Sequence, residues 1–237
     1  MTDSTANAET QAAPSPDTRG SPRLFWVGMA VFLIVMVFLG FGSTYGRQIV
    51  MGTEIGVDGP YDDGLVATDW VIHLHTVVFV GWLALLLAQA TLVARGRTQA
   101  HMTLGRYGGI ALGALVLLTG GLITSVQAQA AVAKDLVTWA EWPQLLEGTM
   151  VSWLSLLCFA LLLGLGLFYR HRPDAHKRYM VLGTAVLVMA AFGRMDYLLG
   201  FWRLLVGMSL VVAPILAYDL YTDTHGPRNF SPSPFPC

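Results

Sequence analysis

The amino-acid sequence predicts an all-α, polytopic membrane protein with six transmembrane helices. Of the 237 residues, 54% are hydrophobic and only 12% are charged, whereas soluble domains carry about 25% charged residues. Several apolar runs are close to the roughly 20 residues that an α-helix needs to cross a bilayer. An internal repeat further indicates that one two-helix unit occurs twice, as helices two and three and again as helices four and five.

The repeat is carried by two basic segments about 75 residues apart. GRTQAHMTLGRYGG aligns without gaps with HRPDAHKRYMVLGT. Arg97 aligns with Arg172, and His101 aligns with His176. Each segment connects two apolar runs, so the repeat predicts two equivalent hairpins.

The apolar runs also set the predicted domain boundaries. The spans are about Leu24 to Gly42, Trp70 to Val93, Leu104 to Ser125, Met150 to Tyr169, Tyr179 to Leu199 and Trp202 to Tyr218. They form one transmembrane domain, 23–222. The flanking segments 1–22 and 223–237 are polar and rich in proline, and we expect both to be disordered tails.

Two further segments lie on the side opposite the basic hairpins. The loop 43–69 is long and acidic, and we expect it to be solvated. Segment 131–146 places Leu136, Trp139 and Leu146 at helical spacing. Because tryptophan favours the headgroup level, this pattern predicts an interfacial helix.

The basic residues predict the orientation in the membrane. They cluster in the two hairpins, as Arg95, Arg97, Arg106, Arg170, Arg172, Lys177 and Arg178. Cytoplasmic loops carry an excess of lysine and arginine. We therefore expect a multi-pass protein of a bacterial inner membrane, with both termini and both hairpins in the cytoplasm.

Composition and motifs exclude several function classes. A net charge of -1 gives no indication of nucleic-acid binding. The two cysteines make no disulfide framework. No HxxxH, HExxH or cysteine cluster is present, so the sequence predicts no metal site other than haem iron.

Ionisable residues within or beside the spans are the candidate site residues, because such groups are costly in a membrane. The outer cluster comprises His73, His75, Arg194, Asp196 and Arg203, and the inner cluster comprises His101 and His176. His73 and His75 are two residues apart and so point to different faces of a helix. His75 shares a face with Phe79 and Trp82, which makes it the better candidate to face the bundle.

Each candidate also has a purely structural interpretation. Arg194 and Asp196 can form an ion pair that holds the outer hairpin. His75 can be a hydrogen-bonded core residue, and Met150 can be an apolar gap-filler. His101 and His176 lie among arginines, where contact with lipid phosphate or solvent is sufficient to explain them.

Binding of haem b is a more specific interpretation of these residues. Its iron takes one or two axial ligands, most simply imidazoles, and a bundle can supply them from two helices at matched depth. The repeat predicts matched depth for His101 and His176. On the outer side it pairs His75 with Met150, and His/Met is a known axial set.

These residues resemble a known family. His75, Trp82, the arginine-containing turn and His101 are similar to the H…W…R…H run of transmembrane b-type cytochromes of the ascorbate- and ferric-reductase kind. HMTLGR at 101–106 and HKR at 176–178 also resemble a group of uncharacterised bacterial multi-pass membrane proteins. The resemblance covers about Trp70 to Leu199 and implies haem and electron transfer, although those cytochromes place two histidine pairs inside the bilayer.

Three functions therefore follow as hypotheses. The first is a membrane oxidoreductase that holds b-type haem and exchanges electrons, with a quinol as one candidate partner. The second is a non-catalytic accessory or assembly subunit that docks on another membrane protein. The third is a carrier of a small ligand or metal that uses the outer cluster.

Overall fold

The computed structural model describes residues 20–42, 66–133, 142–195 and 202–225, and the regular structure in these ranges is helical throughout. The helices are α1 Gly20–Phe41, α2 Val66–Ala94, α3 Thr98–Leu104, α4 Ile110–Ala133, α5 Trp142–Phe168, α6 Pro173–Phe192 and α7 Arg203–His225. A π-helical turn, Gly105–Gly109, joins α3 to α4 as one continuous helical stretch. The prediction of an all-α fold is confirmed for these residues.

Five helical stretches are long and apolar enough to cross a membrane. They are Leu24–Phe41, Trp70–Ala94, Thr98–Val126, Thr149–Phe168 and Leu204–Thr222. The polytopic membrane character expected from composition is thus supported by helices of the required length. α6 is not among the five, and its first turns carry Asp174, Lys177 and Arg178.

α6 lies at the centre of the bundle, where it contacts α1, α5 and α7. Its buried residues are Val181, Gly183, Thr184, Ala185, Val188, Ala191 and Phe192. At its end it approaches α1 so closely that a Cβ on Gly40 would lie 2.5 Å from the carbonyl oxygen of Ala191. Only a glycine fits this helix contact, as is typical where membrane helices pack tightly. Because other helices surround α6, it needs fewer apolar side chains than a helix that faces lipid.

Trp82 forms the centre of the packing between α2, α5 and α6. Its side chain is only 2% exposed, and its ring meets Phe159 edge-on with centroids 5.2 Å apart. The indole Nε1 donates a hydrogen bond to the hydroxyl of Thr184 at 3.1 Å. Thr184 in turn donates to the carbonyl of Met180. One tryptophan therefore joins three helices and leaves no polar atom of this contact unsatisfied.

The outside of the bundle is covered by large apolar side chains. Exposed examples from five helices are Phe38, Val77, Leu118, Leu154 and Leu205. Contiguous apolar surface of this kind drives aggregation in water. In a bilayer the same surface faces lipid tails, so the packing agrees with the membrane character of the sequence.

With α3 and α4 counted as one continuous stretch, successive helices alternate in direction. Both hairpins lie at one end of the bundle, here called the hairpin end. There the Lys177 amine lies over the rings of Trp26, near the start of α1, and Tyr218, near the end of α7. The opposite end, here called the far end, holds the contact between Gly40 and Ala191. The described beginning and end of the chain therefore lie on the same side as both hairpins.

The predicted fourth span, Met150 to Tyr169, agrees with the candidate span Thr149–Phe168, although the helix that contains it begins earlier, at Trp142. The predicted fifth helix was placed wrongly, because α6 runs over Pro173–Phe192 rather than from Tyr179 to Leu199. The first turns of α6 carry charged residues that form ion pairs, and a hydropathy pattern does not detect such pairs. Beyond Phe192 the chain enters a turn at Gly193 and Arg194.

The predicted tails, outer loop and interfacial helix fall mostly outside the described residues. α1 begins within the predicted N-terminal tail, at Gly20, and α2 begins within the predicted loop, at Val66. α7 extends to His225, beyond the predicted domain end. The predicted interfacial helix 131–146 is only partly described. Residues 131–133 end α4 and residues 142–146 begin α5, while residues 134–141 lie outside the described ranges.

Candidate functional site

The two hairpins place their histidines by the same local geometry. Arg97 precedes the first residue of α3 and Arg172 precedes the first residue of α6. The backbone N–H of His101 donates to the Arg97 carbonyl at 3.1 Å, and that of His176 donates to the Arg172 carbonyl at 3.0 Å. Each histidine therefore ends the first turn of its helix, as the sequence alignment of the two segments predicts.

His101 and His176 are brought together at the hairpin end. Their ring centroids are 6.2 Å apart, and the ring planes make an angle of 82°. Both side chains are half-buried. The matched depth expected from the repeat is thus realised as a direct contact between the two imidazoles.

The hydrogen bond of His176 determines which of its nitrogens is available. Nδ1 lies 2.7 Å from the carbonyl oxygen of Gly166, on α5. A carbonyl can only accept, so Nδ1 carries the hydrogen and, in the neutral ring, Nε2 holds the lone pair. A histidine that binds a metal has this arrangement, with one nitrogen donating to a carbonyl and the other directed at the ion.

His101 is held in a comparable way. Its ring is hydrogen-bonded to the main chain of Gln89, on α2. The π-helical turn that follows α3 lies close to α2 here, since a Cβ on Gly105 would lie 3.2 Å from the side-chain amide nitrogen of Gln89. Each histidine is therefore anchored to the helix that precedes its own hairpin.

Two neighbouring imidazoles have the chemistry that the axial positions of a b-type haem require. Two imidazoles satisfy both axial positions of haem iron, whose other ligands belong to the porphyrin. A bare zinc ion needs three or four protein ligands. Among the described residues, no group of three or more His, Cys, Asp or Glu side chains is placed to hold a metal ion.

The helix beyond His101 is irregular. The π-helical turn Gly105–Gly109 shifts the phase of the residues that follow it, and such turns often occur at functional sites. Gly109 is buried, yet a Cβ there would meet no atom within 4 Å. Open space thus adjoins the helix two turns from His101.

At the far end, His75 is hydrogen-bonded to Thr119. The His75 Nδ1 lies 3.4 Å from the Thr119 hydroxyl oxygen, and that hydroxyl donates to the Leu115 carbonyl at 2.8 Å. Since Thr119 uses its hydrogen on Leu115, His75 is the donor between them and its Nε2 holds the lone pair. The ring also stacks on Phe79, with centroids 6.1 Å apart.

Arg194 is the charged neighbour of His75. It interacts electrostatically with His75, its Nη1 donates to the Ala190 carbonyl at 2.9 Å, and its Cζ lies 4.4 Å from the centroid of the Phe41 ring. Asp196 lies outside the described residues, and Arg203 opens α7 with a side chain that is likewise outside them. The expected pairing of Arg194 with Asp196 therefore stays a prediction.

His73 and Met150 are placed differently from His75. His73 is exposed, as expected for a residue that points away from the bundle. Met150 is 66% exposed on α5. His75, by contrast, is hydrogen-bonded to Thr119 and stacks on Phe79. The expected pairing of His75 with Met150 stays a prediction.

Sequence reasoning missed the ionic contacts that support the hairpin end. Arg178 forms a bidentate pair with Asp219 on α7, through Nε at 2.9 Å and Nη2 at 2.6 Å. The two residues are 41 positions apart, so no local pattern reveals the pair. Lys177 pairs with Asp174 at 2.6 Å, and this hydrogen bond lowers the pKa of the Asp174 carboxyl below its ordinary value.

Comparison with protein families, curated proteins and solved structures finds no match for this chain.

Proposed function

We propose that this protein is an integral membrane protein that binds b-type haem between His101 and His176 and transfers electrons within the membrane. The observation that carries the proposal is the contact between the two imidazoles, whose ring centroids lie 6.2 Å apart. Both rings are fixed by main-chain hydrogen bonds, which is how a protein orients metal-binding histidines. When bound, the haem supplies one-electron redox chemistry.

The proposal includes six spanning helices and a duplicated two-helix unit. α6 is the sixth span, since it is the central helix and runs alongside α1 from Lys177 beside Trp26 to Ala191 beside Gly40. The shared geometry at Arg97 and Arg172 supports the duplication. The basic hairpins favour a cytoplasmic position for the hairpin end in a bacterial inner membrane.

A second haem at the far end has less support. His75 would be its ligand, with Met150 as the expected partner. The fixed Nε2 lone pair of His75 suits ligation, but Met150 faces outward and a cationic Arg194 lies nearby. A membrane-dissolved quinol is the proposed electron partner, because an apolar carrier can reach the bundle through its lipid-facing surface.

The experiment is an absorption spectrum of the full-length protein, expressed with ample haem and purified in detergent, in oxidised and reduced forms. We expect a Soret band that His101→Ala and His176→Ala each remove or shift. His171→Ala is the matched control, because His171 lies in the same hairpin and is exposed. His73→Ala is the corresponding control for His75→Ala at the far end.

A colourless wild-type protein would contradict the haem proposal. The function would then be that of an accessory or assembly subunit, and its signature would be co-purification with a larger membrane complex. Band loss in His171→Ala equal to that in His176→Ala would also contradict the proposal, because it would show a general effect on the hairpin rather than loss of a ligand.

A further inference from the structure

A groove of about 670 Å³ opens at the start of α6, on the surface of the second hairpin. Its polar lining includes His171, Arg172, Asp174 and Arg178, and its apolar lining includes Tyr179 and Leu182. The polar residues come first along the chain and the apolar residues follow. The groove therefore crosses from a charged rim to the apolar part of the helix.

The charges in this groove do not cancel. Asp174 is paired with Lys177 and Arg178 with Asp219, so these two lining charges are already compensated. The Arg172 guanidinium lies 5.8 Å from the centroid of the Tyr169 ring, and among the described residues no carboxylate pairs with it. Arg172 thus gives the groove a net positive charge beside an apolar floor.

We infer that this groove binds the headgroup of an anionic phospholipid, with Arg172 contacting the phosphate and Tyr179 and Leu182 contacting the upper acyl chain. Basic pockets at the membrane surface favour anionic headgroups, and arginine pairs well with phosphate oxygens. Tyrosine is enriched at the same depth, where one face is apolar and the other is wet. This inference does not depend on haem or on which side of the membrane the hairpins face.

The first hairpin provides an internal control. Its equivalent groove is lined by Arg97, Gln99 and Met102, with threonine, alanine and glycine around them. Arg97 stands at the helix-start position that Arg172 occupies in α6. This groove has an equivalent cation but lacks the Tyr179 and Leu182 floor, so we expect it to retain lipid less well.

The test is native mass spectrometry of the full-length protein from micelles doped with phosphatidylglycerol or with phosphatidylcholine. The wild type and Arg97→Gln should retain phosphatidylglycerol in preference to phosphatidylcholine. Arg172→Gln should weaken that retention about fivefold, the effect of one basic residue at a membrane surface. Arg172→Lys keeps the charge and should restore most of the retention, which separates a lipid contact from misfolding.

Three outcomes would overturn the inference. Equal retention of the two lipids would show that charge is not recognised. Equal loss in Arg97→Gln and Arg172→Gln would show a diffuse effect of basic residues rather than a site. Displacement of phosphatidylglycerol by millimolar inorganic phosphate would show a phosphate site that makes no use of the acyl chains.

Discussion

At the hairpin end His101 and His176 face each other, whereas at the far end His75 has Arg194 as its charged neighbour. His75 and His176 are alike in one respect, because a hydrogen bond at Nδ1 leaves Nε2 with the lone pair in each. They differ in the charge beside them. A guanidinium repels a metal cation, while a second neutral imidazole can provide another ligand.

Under the haem proposal, this difference favours the hairpin end as the cofactor site. Two imidazoles at the hairpin end can share an iron ion. The far end, with a cation resting on the Phe41 ring, is better suited to an anionic or neutral polar group. The two clusters look equally plausible in the sequence, and only the neighbours that folding supplies distinguish them.

The largest expected effect comes from the residue between the two ends. Trp82→Ala removes a buried indole that packs on Phe159 and donates to Thr184, so we expect a loss of about 3–5 kcal/mol in the free energy of unfolding. Both ends should loosen together, because Trp82 joins α2, α5 and α6. Thermal melting of purified protein measures the loss. A change below about 1 kcal/mol would show that this site can collapse around the missing ring or that the helix packing differs.

A smaller effect is expected where α1 meets α6 at the far end. A methyl group at Gly40 would lie 2.5 Å from the Ala191 carbonyl oxygen, so Gly40→Ala must move a helix and should cost about 1–3 kcal/mol. Gly28→Ala is the matched control on the same helix, because its Cβ would meet no atom within 4 Å. We expect Gly28→Ala to be neutral or slightly stabilising in the same melt. Similar melting temperatures for the two variants would contradict the close contact.

The hairpin end is tested by its long-range ion pair. Asp219→Asn removes the partner of Arg178, and we expect a cost of about 1 kcal/mol, because the two side chains are 32% and 27% exposed and solvent screens the pair. A double-mutant cycle with Arg178→Gln measures the coupling directly. If the two single changes add without coupling, the pair contributes nothing to joining α6 and α7.

The smallest effect concerns Asp174, which lies in the first turn of α6. The hydrogen bond from Lys177 lowers the pKa of the Asp174 carboxyl in the folded protein. The carboxylate therefore stabilises the fold at pH values above the pKa that Asp174 has in the unfolded chain. This stabilisation is lost as the pH falls through the pKa that Asp174 has in the folded protein. Asp174→Asn should therefore cost at most about 0.5 kcal/mol at neutral pH and nothing at a pH where the wild-type carboxyl is protonated. A cost that persists at low pH would assign the effect to helix capping instead.

Much of the fold follows from the sequence, because apolar runs and the internal repeat are local patterns. The aligned segments also predict that His101 and His176 lie at one depth, and the structure places their rings in contact. The bond between Trp82 and Thr184 spans 102 positions, and the pair of Arg178 with Asp219 spans 41. No local spacing reveals such partners. For the same reason the sequence could not show that Thr119 lies beside His75.

The central claim is that His101 and His176 hold one common haem, and the haem-to-protein ratio tests it most directly. The ratio is measured by pyridine haemochrome assay on purified wild type, His101→Ala, His176→Ala and the double variant. We expect each single change to remove the same haem, so that the double variant loses no more than either one alone. Two separate losses that add in the double variant, or a wild type without haem, would contradict it.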